Sequence, residues 1–232
     1  MRVGVVTFPG SLDDRDALRA IEYMGGEAVS LWHRDRDLRG AEAVLLPGGF
    51  SYGDYLRAGA IAGRAPIMDA IRMFAERGGP VVGICNGFQI LCEAGLLPGA
   101  LIRNRSLQFV CTPVHLRVET SASVLTTSCT VGDVVEVPVK HGEGQFVATV
   151  DELRRIEGDG LVLFRYSSPD GELGDEFNPN GATDHIAGLR NDRGNVCGLM
   201  PHPEHAVDPD VGPIGGQPMF ESLLSHALEH VG

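Results

Sequence analysis

Cys85 is the residue of this chain with the clearest chemical setting. It ends an apolar run, Val81-Val82-Gly83-Ile84, is flanked by Gly83 and Gly87, and is followed at once by a helix-like segment from Phe88 to Glu93. This is the G-x-nucleophile-x-G form of a nucleophile elbow. A sharp strand-to-helix turn pushes the central side chain outward, and the neighbours two residues away approach too closely to carry a Cβ. The helix start would aim free N–H groups and the positive end of its dipole at the sulfur. Such surroundings lower a thiol pKa from about 8.5 to roughly 3.5–7.5 and favour acyl transfer through a thiolate. Taken alone, the pentapeptide fits a small buried residue at a tight turn equally well.

A thiolate that attacks an amide must also protonate the departing amine. Histidine suits that step because its pKa lies near neutrality, and a carboxylate is needed to orient the ring. His202 and Glu204 supply both types two residues apart, directly after the apolar run Val196–Met200, with Pro203 stiffening the turn between them. Cys85, His202 and Glu204 therefore form a candidate triad. His205 beside His202 raises a metal pair, but the spacing is not that of a helical H-E-x-x-H, and no metal site is expected. For the oxyanion, the Asn86 N–H follows the nucleophile, and the Gly48-Gly49-Phe50 turn offers a second donor, although alone it reads as an ordinary turn. Gln89 lies one helical turn beyond Cys85, where it holds a polar substrate tail or caps the local helix. His141-Gly142-Glu143-Gly144-Gln145 follows an apolar strand and reads as a pocket wall or a surface turn.

These groups need a scaffold. Arg2–Phe8, Ala28–Leu31, Ala43–Leu46 and Val81–Ile84 are strand-like runs. Helical spacing separates them from Asp13 or Asp14, either of which can cap, to about Met24, and again from Ile67 to Arg77. Continuous apolar strands alternating with helices predict an α/β fold, a mostly parallel sheet with helices on both faces. Short Val- and Thr-rich segments from Phe109 to Phe164 predict added antiparallel strands. Asp151 to Ile156 predicts a short helix, Ile186–Leu189 with Val196–Met200 a hairpin, and Pro218 to His230 a closing helix. No linker or repeat divides residues 1–232, which read as one domain. Pro47–Phe50, the Cys85 elbow and Pro201–Glu204 all fall at carboxyl ends of strands, where open parallel sheets build their sites.

Composition narrows the class. The 232 residues carry a net charge of −12 and are 43% hydrophobic, enough for an ordinary core and unsuited to nucleic-acid or anionic-membrane surfaces. Five cysteines without paired spacing read as thiols of a reducing compartment, with Cys92 on the buried side of its helix. No signal peptide or membrane-length apolar run is seen, which points to the cytoplasm.

Together these segments resemble the class I, triad-type glutamine amidotransferases. The similarity runs in order through Phe8-Pro9-Gly10-Ser11, the stretch from Pro47 to Arg57, and Gly83–Gln89. It continues through His141-Gly142-Glu143-Gly144 and Asn178-Pro179-Asn180-Gly181 to Gly198–Glu204. Within the class the chain is similar to glutaminase subunits of purine biosynthesis. The resemblance implies a flavodoxin-like α/β fold in which Cys85 attacks the side-chain amide of glutamine, His202 serves as base and acid, and Glu204 orients it. It implies an oxyanion region at Gly48, Gly49 and Asn86, and Gln89, His141 and Gly142 at the amino-acid end of the substrate. It further implies that ammonia passes to a larger ATP-using synthetase subunit, that a small third subunit is present, and that ATP and Mg belong to the partner, with no cofactor in this chain. This chain also lacks a phosphate-cradling Walker loop. The sequence departs from the pattern at Leu12, Lys140 and His205, where asparagine, alanine and arginine are usual. The rival readings are a cysteine peptidase or deglycase of the same fold, which usually has histidine where Asn86 stands, and a non-catalytic regulatory subunit.

Overall fold

The computed structural model describes residues 1–226 of the chain. Its first half alternates β1 (Arg2–Thr7), α1 (Asp14–Tyr23), β2 (Glu27–Trp32), β3 (Ala43–Leu46), α2 (Pro66–Glu76), β4 (Val81–Ile84) and α3 (Asn86–Glu93). Then come β5 (Ala100–Ile102), β6 (Val110–Val118), β7 (Val134–His141), β8 (Gln145–Val147), α4 (Val150–Gly158) and β9 (Val162–Ser167). The chain closes with β10 (Ile186–Arg190), β11 (Val196–Leu199) and α5 (Gln217–His226). The closing helix expected to reach His230 thus runs from Gln217 to His226, and the remainder of that expectation lies outside the described residues.

Among the described residues, nine strands form one sheet in the order β2-β1-β3-β4-β11-β10-β9-β6-β7. The pairs β1–β2, β1–β3, β3–β4 and β4–β11 are parallel. Every residue of β3, β4, β9 and β11 is buried, so these strands are covered on both faces, as the unbroken apolar runs of β3, β4 and β11 require. The expected hairpin of β10 and β11 is present and antiparallel. The Val- and Thr-rich middle extends the same sheet through β9, β6 and β7, while β5 and β8 make a separate two-stranded ladder. One apolar core runs from Val3 to Leu223. No helix among the described residues is long and apolar enough to cross a membrane. All five cysteines are free thiols; Cys92, expected on the buried side of its helix, is half-buried against the core.

Two features of this topology place the site. First, β3, β4 and β11 are adjacent and parallel, so the three segments that follow them emerge together. Leu199 pairs with Ile84, and the Cys85 N–H donates to the Leu199 carbonyl at 2.8 Å. Second, the β6–β7 hairpin overhangs the sheet. Residues His115 to Val118 of β6 pair with β9, whereas Val110 to Val114 pair with β7 alone. The free half of the hairpin turns back over the carboxyl ends of the central strands. There the Pro138 carbonyl accepts from the His202 N–H at 2.8 Å, and the Lys140 carbonyl lies 3.9 Å from the Cys85 sulfur.

The elbow itself is a steric construction. Cys85 sits at φ 51°, ψ −105°, a conformation that side-chain-bearing residues adopt only where the surroundings impose it. Gly87 makes the bend possible: a Cβ there would lie 2.0 Å from the Leu46 carbonyl oxygen at the end of β3. Because that atom is backbone in a buried strand, it cannot step aside. Gly87→Ala is therefore expected to destabilise the fold by about 1–3 kcal/mol, the range for an overpacked core. Urea unfolding checks this; an unchanged midpoint refutes the steric account.

Candidate active site

The side chains singled out by type and spacing meet at one end of the sheet. Cys85 occupies the N-cap position of α3, where the first N–H groups of a helix have no partner within it. His202 is fully buried, and its Nδ1 is 2.6 Å from Glu204 Oε1. The two are set by a short 3-10 turn over Pro203–His205, in which Pro203 occupies the first helical position. The opposite ring nitrogen, Nε2, is buried and without a hydrogen-bond partner, and so is Glu204 Oε2. Burial alone would lower the His202 pKa. The Glu204 carboxylate and then the neighbouring Cys85 outweigh it and hold the imidazole well above its ordinary value. Cys85 is thus within electrostatic reach of the imidazole, and the arrangement is that of a thiol, a base and an orienting acid.

The glycine turn after β3 has a definite steric role. A Cβ on Gly48 would lie 2.7 Å from His202 Cε1 and 2.4 Å from Asp13 Oδ2. The Gly48 carbonyl accepts from the N–H groups of Leu12 and Asp13, and Gly49 bridges to Ser11, so this turn is tied to the loop after β1. Gly49 and Cys85 line one wall of a cavity of about 360 Å3, a size suited to a small metabolite. Gln89, His141, Gly142, Asp54 and Glu143 line it as well. Burial and the neighbouring Glu143 charge raise the Asp54 carboxyl to about 6, and its Oδ1 is buried without a partner.

Asn86 does more than the sequence indicates. Its side-chain oxygen accepts from the Ser51 N–H at 3.1 Å, and its amide donates to Gln89 Oε1 at 2.8 Å. Gln89 in turn donates to the Glu143 carbonyl at 2.6 Å. This chain of amides ties the elbow to the loop after β3 and to the loop after β7, and it occupies the Gln89 side chain internally. His141 is occupied too. Its Nδ1 lies 3.2 Å from Asn104 Oδ1, and its Nε2 lies 3.4 Å from the Asn180 amide, which also donates to Tyr166 at 3.1 Å. Asn104 and Tyr166 carry no motif that sequence reasoning could have seized; Asn180 belongs to the Asn-Pro-Asn-Gly segment, which was the available signal.

Burial, then the nearby His202 charge, pushes the His141 pKa down from 6.5 to about 4. Across that interval the unfolded chain binds a proton that the folded chain does not. Stability that is complete above about pH 6.5 is therefore lost as the pH falls toward about 4. At about 1.4 kcal/mol per pH unit, His141 contributes a loss of about 2 kcal/mol between pH 7 and pH 5. Denaturant unfolding of His141→Asn at both pH values is expected to lack this part of the slope; an unchanged slope places the acid sensitivity elsewhere.

Asp13 occupies the N-cap position of α1, yet its side chain makes no cap hydrogen bond. The expectation that Asp13 or Asp14 caps the helix is corrected here: the Asp13 carboxylate turns into the site, where its oxygens pair with Lys140 and His205 and approach His202. Asp14 instead accepts from the Thr7 hydroxyl at 2.8 Å. Asp13, His202, Glu204 and His205 bring their polar atoms within 4.8 Å of one another, and the Lys140 ammonium pairs with the Asp13 carboxylate. Two of the three sequence departures, Lys140 and His205, therefore converge on one carboxylate. The third, Leu12, is exposed at the cavity mouth with Phe50, Leu107 and Phe109.

An elbow cysteine, a buried His–Glu pair and a doubly covered sheet have the form of a triad-type amidotransferase, and the chain as a whole is similar to proteins of that class. Residues 1–218 match the family of CobB/CobQ-like glutamine amidotransferase domains, and the chain belongs to that family. It is 53% identical over 228 residues to the phosphoribosylformylglycinamidine synthase subunit PurQ of Rhodopseudomonas palustris (strain HaA2), covering 97% of this chain and 98% of that one. The subunit PurQ of Leifsonia xyli subsp. xyli is 56% identical over 219 residues, covering 94% and 91%. Among solved structures, that of PurLQS from Thermotoga maritima superposes with a TM-score of 0.85 at 42% identity, covering 97% of this chain and 98% of the matched chain.

Proposed function

We propose that this chain is the glutaminase subunit of a phosphoribosylformylglycinamidine synthase, and that residues 1–232 act as one glutamine amidotransferase domain. The observation that carries the reading is the convergence of Cys85, His202 and Glu204 beside a cavity of amino-acid size in a chain so close to PurQ subunits. The Cys85 thiolate attacks the side-chain amide carbon of glutamine. The tetrahedral oxyanion faces the Asn86 N–H and the Gly48-Gly49 turn. His202, protonated through its pairing with Glu204, gives its proton to the departing nitrogen, and ammonia leaves. Water then adds to the glutamyl thioester with His202 as base, and glutamate is released with the thiol restored. Gln89, His141 and Gly142 form the wall toward the amino-acid end, where Asp54 and Glu143 offer carboxylates to an ammonium group.

Ammonia is used by a larger ATP- and Mg-using synthetase subunit, which converts formylglycinamide ribonucleotide to the amidine, with a small third subunit in the assembly. No cofactor is assigned to this chain, and the cytoplasmic setting expected from the sequence accords with that role. Docking at the site mouth is supported by an apolar rim: Leu107 is 79% exposed, and Tyr55 and Leu56 of the adjoining loop are 74% and 87% exposed. The loop is held in an unusual shape, with Tyr52, Asp54 and Leu56 all at positive φ. The deciding experiment compares glutamine-driven with ammonium-driven amidine formation by the assembled complex, with and without the Cys85 thiol.

A further inference from the structure

The helix start at Asp13, the strand end at Lys140 and the turn at His202–His205 are far apart in sequence, yet they share one ion cluster, buried at Asp13, His202 and Glu204 and half-buried at Lys140 and His205. Asp13 is 4% exposed. Its Oδ1 pairs with the Lys140 ammonium and lies 3.4 Å from His205 Nε2, while its Oδ2 lies 3.8 Å from His202 Nδ1. The His202 ring edge therefore faces two carboxylates, Glu204 in hydrogen-bond contact and Asp13 just outside it. Two buried negative charges on one imidazole would hold its proton too firmly for transfer to a leaving group. Lys140 offsets one of them.

We propose that Asp13 and Lys140 are a paired positioning device for the His202 imidazole: Asp13 is its second carboxylate, and Lys140 sets how much of that charge the ring feels. The inference rests on the catalytic reading of Cys85, His202 and Glu204 given above. The pair also reaches the nucleophile, because the Lys140 carbonyl is the group 3.9 Å from the Cys85 sulfur. The Asp13 carboxyl is held well below the usual carboxylate range: burial opposes this, but His205, His202 and Lys140 together outweigh it. Asp13 is thus charged wherever the enzyme works. The ionisable groups facing His202 are Cys85 from the elbow, Asp13 from the start of α1, Glu204 and His205 from its own turn, and Lys140 and His141 from the end of β7.

Opposite charges in the pair give opposite effects when removed singly. Asp13→Asn takes a negative charge from beside the ring, so the imidazolium loses its proton more readily and the alkaline limb of glutamine-dependent kcat/KM moves to lower pH. Lys140→Met leaves Asp13 uncompensated and moves the same limb to higher pH. Each shift is expected to be about half a pH unit or more, with kcat/KM of Asp13→Asn lowered about 10-fold from the looser ring. The double variant is expected to return toward the wild-type profile, and Lys140→Arg to keep it. The measurement is made on the assembled complex with glutamine, with ammonium-driven synthesis followed in the same samples. Shifts of one sign, no shifts, or parallel loss of ammonium-driven synthesis overturn the proposal. Cys85→Ala, run alongside, separates the two levels: if it leaves glutamine use intact, the catalytic reading itself fails, whereas its success with unshifted pH profiles rejects only the role of the pair.

Discussion

Replacing Cys85 with alanine is expected to lower glutamine-driven amidine synthesis by the complex about 10^4-fold or more, while synthesis from added ammonium continues. The magnitude is that of removing the nucleophile from a unit whose members act together. The asymmetry follows from the placement of the residue. Cys85 lies where β4 gives way to α3, and its sulfur faces the cavity and the imidazole. It has no part in the ATP-dependent step that consumes ammonia. Alanine introduces no atom beyond the Cβ that the surroundings already hold at φ 51°, so the elbow and the surface presented to the synthetase are expected to be preserved. Steady-state rates with each nitrogen source, on one preparation, make the comparison. Retention of glutamine use, or equal loss of both activities, refutes the assignment.

Exchanging Glu204 for glutamine is expected to cost about 10^2- to 10^4-fold in glutamine-dependent kcat/KM, the range for disabling a general acid–base. The 2.6 Å contact with His202 Nδ1 fixes the ring and favours its protonated form, and burial makes that contact strong because no water competes for it. A neutral amide keeps the shape and loses the charge. Burial then depresses the imidazole unopposed by its nearest carboxylate, so the alkaline limb of the pH profile moves to lower pH as well. A pH–rate series with glutamine, set beside the ammonium-driven rate, reports both effects. A change smaller than about threefold with an unshifted limb would show that Glu204 is only a structural partner of the ring.

The elbow, the His-Pro-Glu turn and most of the strands were legible in the sequence because they are local facts. Glycine at two flanking positions, alternation of apolar runs with helical spacing, and a proline between a base and an acid each act within a few residues. The strands β1 to β4 and the β10–β11 hairpin match the sequence expectation to within a residue or two at most ends. The site was less legible where side chains of neutral appearance became structural. Asn104 and Asn180 hold the His141 ring, Tyr166 holds Asn180, and the Asn86 and Gln89 amides join three loops. Nothing in the local pattern around an asparagine says which distant group it will meet.

What the sequence determined by itself, then, was the chemistry on offer and the backbone shape of the elbow, since sterics and periodicity are set by near neighbours. Tertiary structure alone decided that β3, β4 and β11 lie side by side, that the overhanging β6–β7 hairpin carries Lys140 to the thiol, and that Asp13 leaves its helix end to face His202. Those outcomes depend on strand order and on the whole core closing at once. A contact between positions 127 or 192 residues apart is fixed only when every element between them has found its place.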